Sequence, residues 1–268
     1  MSSLSDWRHP VRVRLEAGQP VFALTITTPS VELAAHAATL GFHFLWVEME
    51  HSPITLESLR LMVLAARGLP AAIFARVPVV ELWTAKRVLD QGVSGVIFPF
   101  TSTPEKAACA AAACRYPPLG KRGSGAGAAV RTWPQPGNYY DSADANVLTV
   151  CVIEEAAALH HIDAIAATEG VDVLFIGTSD LSFSLGLRGR QDDAALQDAI
   201  GKIVEAAKRQ GKFLGRPASD PLLIRRYIDQ GFLMFQMPTE IGLLEIGARR
   251  LLDPFDIRGV PQESRSLY

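Results

Sequence analysis

Two carboxylates, Glu154 and Asp180, stand 26 residues apart in matching places along the chain. Each follows an apolar run rich in β-branched residues, Leu148–Ile153 and Val171–Ile176, too short for a membrane span and suited to a buried strand. If the two strands are parallel neighbours, both side chains emerge at one rim of one sheet. Oxygen ligands and surplus negative charge gathered there suit a hard divalent cation such as Mg²⁺ or Mn²⁺. Three other strand-like runs end in reactive side chains: Phe44–Val47 leads into Glu48, Glu50 and His51, Ala71–Val77 carries Arg76, and Phe213–Arg216 ends in Arg216. The inventory is two metal ligands, a cation and an imidazole able to move protons near neutral pH. The same residue types also serve structure. A carboxylate after a strand caps helices, Arg76 can pair with a rim carboxylate, and His51 before Ser-Pro suits a solvated loop. Asp90, read as mid-helical beside Arg87, is expected to be structural.

These residues need a frame that delivers strand ends to one place. The hydrophobic pattern predicts eight strands: Val21–Thr27, Phe44–Val47, Ala71–Val77, Val96–Phe100, Leu148–Ile153, Val171–Ile176, Phe213–Arg216 and Phe232–Gln236. Helical segments fall between them, among them a helix capped by Ser30, one opened by Thr55 and Ser58, Trp83–Gln91, Pro104–Arg115, Asp192–Gln210, Pro221–Gln230 and Ile241–Leu252. Alternating strands and helices with short connections imply parallel pairing. Eight repeats fit an α/β fold of the closed (β/α)₈ type, a TIM barrel, over 1–268 as a single domain. In such a barrel reactive groups gather at the C-terminal ends of the strands.

With 26 Lys+Arg against 28 Asp+Glu, formal net charge is −2. No basic field is available for a nucleic acid or an anionic membrane surface. No stretch of 18 apolar residues lacks polar interruption, so no membrane span is expected, and MSSLSDWRHP lacks the apolar core of a signal peptide. Cys109, Cys114 and Cys151 lie in or beside apolar segments without disulfide-like spacing, as in the reducing cytoplasm.

The stretch 116–146 is rich in Pro and Gly and predicts a long irregular loop. Its glycines Gly123, Gly125 and Gly127 imitate a nucleotide loop but neither follow a strand nor open a convincing helix. None of the six lysines falls inside a strand facing the barrel, so a Schiff-base amine is not expected. Any carbonyl chemistry is then expected to use a metal.

The segments FLWVEMEHSPIT, FARVPV, AKRVLDQGVSGVIFPF, RYPPLGKRG, the strand end at Glu154 and EGVDVLFIGTSDLSFSLG, in this order, resemble the HpcH/HpaI family of class II pyruvate-dependent aldolases, 4-hydroxy-2-oxoheptanedioate aldolase-like. The resemblance runs from about Val21 to Leu252. It implies a barrel of the phosphoenolpyruvate/pyruvate superfamily, its last helix exchanged between subunits, assembled as a homohexamer built from three dimers. It implies Glu154 and Asp180 as ligands of Mg²⁺, Mn²⁺ or Co²⁺, and Arg76 at the keto oxygen of a 2-oxo acid. His51, supported by Glu50, would move the proton, and the backbone at Ser179 and Asp180 would hold the substrate carboxylate. The implied reaction joins or splits a 2-oxo acid and an aldehyde. A citramalyl- or malyl-CoA-lyase-like or phosphotransfer enzyme of the same superfamily, and a non-catalytic 2-oxo-acid-binding member, are the alternatives. The RYPPLGKRG loop would approach the site or a neighbouring subunit. Departures from the family pattern are Glu48 where Asp is common, Val152 where Gln is common, and Ala23 near an expected aromatic. They bear on substrate specificity.

Overall fold

The computed structural model describes residues 7–133 and 138–255; the first six residues, 134–137 and the tail 256–268 lie outside the described residues. Eight parallel strands close on themselves in sequence order: β1 Val21–Ile26, β2 Phe44–Glu48, β3 Ala72–Arg76, β4 Gly95–Phe98, β5 Leu148–Ile153, β6 Val173–Ile176, β7 Phe213–Pro217 and β8 Phe232–Thr239. β8 returns to pair with β1. The expected (β/α)₈ barrel is therefore present.

Period-2 alternation decides which side chains fill it. Val21 and Ala23 on β1, Phe44 and Trp46 on β2, Phe74 on β3 and Ile97 on β4 belong to the interior cluster. Val150 and Val152 on β5, Val173 and Phe175 on β6 and Met234 on β8 complete it. Each fully buried large side chain contributes about 1.5–3 kcal/mol. Two strands carry glycine where an inward side chain would collide with a ring: a Cβ on Gly95 would lie 2.5 Å from Phe74, and one on Gly215 2.5 Å from Phe175. Extending the same alternation to the upper rim turns Glu48, Arg76 and Glu154 inward. Outward-facing Leu24, Val47, Ala75, Cys151 and Leu174 pack against the helices.

The helices are α1 Pro10–Glu16, α2 Val31–Ala37, α3 Leu56–Ala65, α4 Leu82–Asp90, α5 Pro104–Ala113, α6 Ala129–Thr132, α7 Tyr139–Asn146, α8 Ile162–Ala167, α9 Thr178–Ser184, α10 Ala194–Arg209, α11 Pro221–Asp229 and α12 Glu240–Leu252. Thr55 and Ser58 form the expected capping box of α3. α1 was not anticipated. Val11 and Leu15 join the interior cluster, and Arg12 ties α1 to Asp172 at 2.8 Å, so α1 closes the end of the barrel away from the candidate site.

The stretch 116–146 is not simply a loop, since it contains α6 and α7. Arg122 lies buried between the rings of Tyr116 and Tyr139 and reaches Asp90 at 3.4 Å. Asp90 is the last residue of α4, not mid-helical, and its partner is Arg122 rather than Arg87. The Asp90 carbonyl accepts the Ala128 amide, and Gly127 at φ +48° lies against that carbonyl, so the glycine run packs on a helix C-terminus. That end carries partial negative charge, the opposite of a phosphate cradle.

Candidate active site

A cavity of about 230 Å³ opens at the C-terminal ends of the strands. Glu48, His51, Arg76, Glu154, Ser179 and Asp180 all line it, and Glu50 lies against Arg76. Six of the expected residues are thus brought to one mouth. Arg216 is not among them: Gly215 takes the inward place on β7, so Arg216 turns outward and stacks on Tyr227, 3.5 Å from the ring centroid.

Glu48 organises the β2–β3 side. It is 5 % exposed. Oε1 accepts the backbone amides of Glu50 (2.8 Å) and His51 (3.1 Å) and Arg76 Nε at 3.1 Å. Oε2 lies 2.9 Å from Arg76 Nε and accepts Trp46 Nε1 at 3.3 Å. One carboxylate therefore fixes both the guanidinium and the turn that presents Glu50 and His51. Arg76 Nη2 lies 2.7 Å from Glu50 Oε2, an ion pair whose angle is too poor for a hydrogen bond. His51 Nε2 is 3.7 Å from the same oxygen, with its side chain half exposed. Arg76 thus does pair with rim carboxylates, and the pairing holds it in the cavity.

Glu154 continues the inward row of β5 above Val150 and Val152. It is 2 % exposed, and Oε1 accepts the Phe100 amide at 2.7 Å. Phe100 holds φ +47°, a left-handed conformation unusual for an aromatic residue, which points its N–H at the carboxylate. On the neighbouring strand, Gly177 leaves room for it: a Cβ there would lie 2.8 Å from Glu154 Cβ and Oε2. Neither acid is a helix cap, since Glu155 precedes the turn Ala156–His160 and Gly177 precedes α9. Asp180 sits in the first turn of α9.

Burial pushes the Glu154 carboxyl up to about 7, with the charges of Asp180 and Glu50 adding to the rise. Burial likewise pushes Glu50 up to about 7; Arg76 opposes the rise, while Glu48 and Asp180 add to it. Four carboxylates crowd one cation. These residues fit a hard divalent ion: they offer oxygen donors and surplus negative charge, and none of the six lysines lines the cavity. Among the described residues no three His, Cys, Asp or Glu side chains converge as a complete ligand set, so the fit rests on the pair Glu154 and Asp180.

The departures are visible too. Val152 and Phe175 make an apolar floor beneath Glu154, and Ala23 is buried lower in the barrel. Sequence reasoning missed Thr25, Thr27, Ser219, Gln236 and Met237, which line the cavity from the β1, β7 and β8 side. Strand parity was the available signal, because Gln236 stands two residues after inward Met234. None of the described residues of 116–146 lines the cavity. Cys114 and Cys151 are buried and Cys109 partly so; all three are free, and burial pushes the Cys114 and Cys151 thiols up to about 11 and about 12. Among the described residues no helix is long and apolar enough to cross a membrane.

Comparison with known proteins agrees with the geometry. The profile of the HpcH/HpaI aldolase/citrate lyase family matches residues 24–245. A hydroxypyruvate/pyruvate aldolase of Paraburkholderia phytofirmans is 33% identical over 93% of this chain and 98% of its own length. A 5-keto-4-deoxy-D-glucarate aldolase of Salmonella arizonae is 34% identical, covering 87% of this chain and 89% of its own. The crystal structure of an HpcH/HpaI aldolase/citrate lyase family protein from Burkholderia cenocepacia superposes with a TM-score of 0.83 at 30% identity, over 91% of this chain and 98% of that one. The barrel, the cavity at its C-terminal rim and these relatives lead to one assignment: the chain is a carbon–carbon lyase belonging to the HpcH/HpaI aldolase/citrate lyase family.

Proposed function

We propose that the enzyme is a class II aldolase. It makes or cleaves 4-hydroxy-2-oxo acids, with pyruvate or a related 2-oxo acid and an aldehyde as the other side of the reaction. Glu154 and Asp180 hold Mg²⁺, Mn²⁺ or Co²⁺. The observation that carries this reading is the rim cavity in which Glu154, Asp180, Arg76 and His51 meet.

Two protein carboxylates leave room for substrate oxygens and water around such an ion. When bound, the cation supplies Lewis-acid polarisation of the keto group, which makes the neighbouring C–H acidic. Arg76, clamped by Glu48, places positive charge where the enolate oxygen develops. Its fixed position costs no reorganisation at the moment of reaction. His51 moves the proton of the 4-hydroxyl group, and the Glu50 carboxylate steadies the imidazolium when it forms. Ser179 and Asp180 present backbone amides to the substrate carboxylate at the start of α9. With no lysine at the cavity, the residues offer no amine for a Schiff base.

The test is a panel of 4-hydroxy-2-oxo acids assayed for 2-oxo-acid release, alongside pyruvate methyl-proton exchange, after EDTA treatment and after metal re-addition. Exchange and cleavage are expected to vanish with EDTA and return with metal. Full exchange without metal would reject the reading. Activity on malyl-CoA without aldol cleavage would favour a thioester lyase. We also propose a hexamer of three dimers with α12 exchanged between subunits. Support comes from its exposed Ile241, Leu244, Ile246, Leu251 and Leu252, and sedimentation tests it.

A further inference from the structure

The charged groups of the cavity are all on its β2–β3 and β5–β6 sides: Glu48, His51 and Arg76 on the first, Glu154 and Asp180 on the second. The side formed by β1, β7 and β8 is different. It presents Thr25, Thr27, Ser219, Gln236 and Thr239, polar but uncharged. Three hydroxyls are already oriented: Thr25 donates to the Met237 carbonyl (3.1 Å), Thr27 donates to Glu240 (2.9 Å), and Thr239 accepts the Gly242 amide (3.0 Å). Each keeps capacity for a further hydrogen bond. The half-buried Gln236 amide pairs with no group among the described residues, and offers both donors and an acceptor to the cavity.

Among the described residues, an anionic ligand on this side would find no cation. Even with Arg76 and a divalent ion counted, Glu48, Glu50, Glu154 and Asp180 leave the site formally negative, and the 2-oxo acid adds a further negative charge. A second carboxylate placed here would be desolvated without a partner, which is costly. A hydroxyl group would instead meet donors and acceptors already aimed at it. We infer that the β1–β7–β8 wall is the acceptor subsite for a short, uncharged, hydroxyl-bearing aldehyde, with Gln236 the residue that recognises it. The inference rests on the aldolase reading and names the second substrate's class.

The experiment compares kcat/KM for metal-loaded enzyme and pyruvate with glyceraldehyde, propanal and succinic semialdehyde, aldehydes of broadly similar size. Pyruvate proton exchange is measured first. If exchange is absent, the aldolase reading fails and this inference falls with it. If exchange is present, the expected order is glyceraldehyde, propanal, succinic semialdehyde, with at least tenfold between first and last, about 1.4 kcal/mol. Succinic semialdehyde equal to or better than glyceraldehyde would overturn the inference alone. Gln236→Arg is expected to narrow the ratio at least tenfold by supplying the missing cation. An unchanged ratio in a folded variant would remove Gln236 from its role; should that variant not fold, the wild-type ratio still decides the nature of the wall.

Discussion

Replacing Glu48 by Gln is expected to cost about 3 kcal/mol of stability and at least a hundredfold in kcat/KM. The substitution keeps the shape and removes the charge. A Gln oxygen at the Oε1 position can still accept the amides of Glu50 and His51. Its NH₂ must then face Arg76 Nε and Trp46 Nε1, two donors that the second oxygen now serves. Donor meets donor, and a buried guanidinium loses one of its two countercharges. An unsatisfied buried polar group costs about 1–3 kcal/mol, and breaking a buried ion pair about 3–5 kcal/mol. Glu50 still lies 2.7 Å from Nη2, so the lower end of that range applies. Displacing Arg76 by about 1 Å is enough to slow chemistry roughly a hundredfold. Urea denaturation reads the stability, and deuterium incorporation into pyruvate reads the chemistry. Glu48→Asp keeps the charge and should recover part of both. A folded Glu48→Gln enzyme within 1 kcal/mol and threefold of wild type would refute the claim that one carboxylate organises this side of the cavity.

Arg76→Lys keeps the charge but loses the fork that reaches Glu48 and Glu50 together; kcat should fall roughly 10²–10³-fold, whereas a change confined to KM would place Arg76 in ground-state binding only. Gly177→Ala should drive Glu154 from its place, costing about 1–3 kcal/mol and at least tenfold in Mn²⁺ affinity by calorimetry. Unaltered affinity would show that Glu154 does not need that space. In the metal-free enzyme Glu154 and Glu50 titrate near 7 rather than 4.5, so the folded state binds more protons than the unfolded chain between those values. Stability gained below about pH 4.5 is therefore lost as pH rises to about 7, on the order of 3 kcal/mol for Glu154. Thermal melts in EDTA should show it, and Glu154→Gln should flatten the slope; a rise in stability over that window would contradict the assignment.

The barrel was legible because eight apolar runs of strand length alternate with capped helices, and every run became a strand. Glu154 and Asp180 were legible because a polar residue ending a buried strand has to emerge at the rim. Arg216 carried the same signal and misled, because a five-residue strand does not reveal which parity faces inward; only the packing of Gly215 against Phe175 does. α1 was hidden by having just two buried residues, Val11 and Leu15. The role of Glu48 depends on four donors contributed by two strands and a turn, and no local pattern encodes that. The neutral wall is silent in the sequence, since threonine and glutamine are common everywhere and acquire meaning only beside charged neighbours.

Class II chemistry in this barrel requires Glu154 and Asp180 to grip one divalent ion at its mouth. Crystals soaked in Mn²⁺ and measured at the manganese edge test it directly. One anomalous peak in contact with both carboxylates, weakened in Glu154→Gln, is expected. A peak elsewhere, or none at these acids in an enzyme that Mn²⁺ activates, would contradict it.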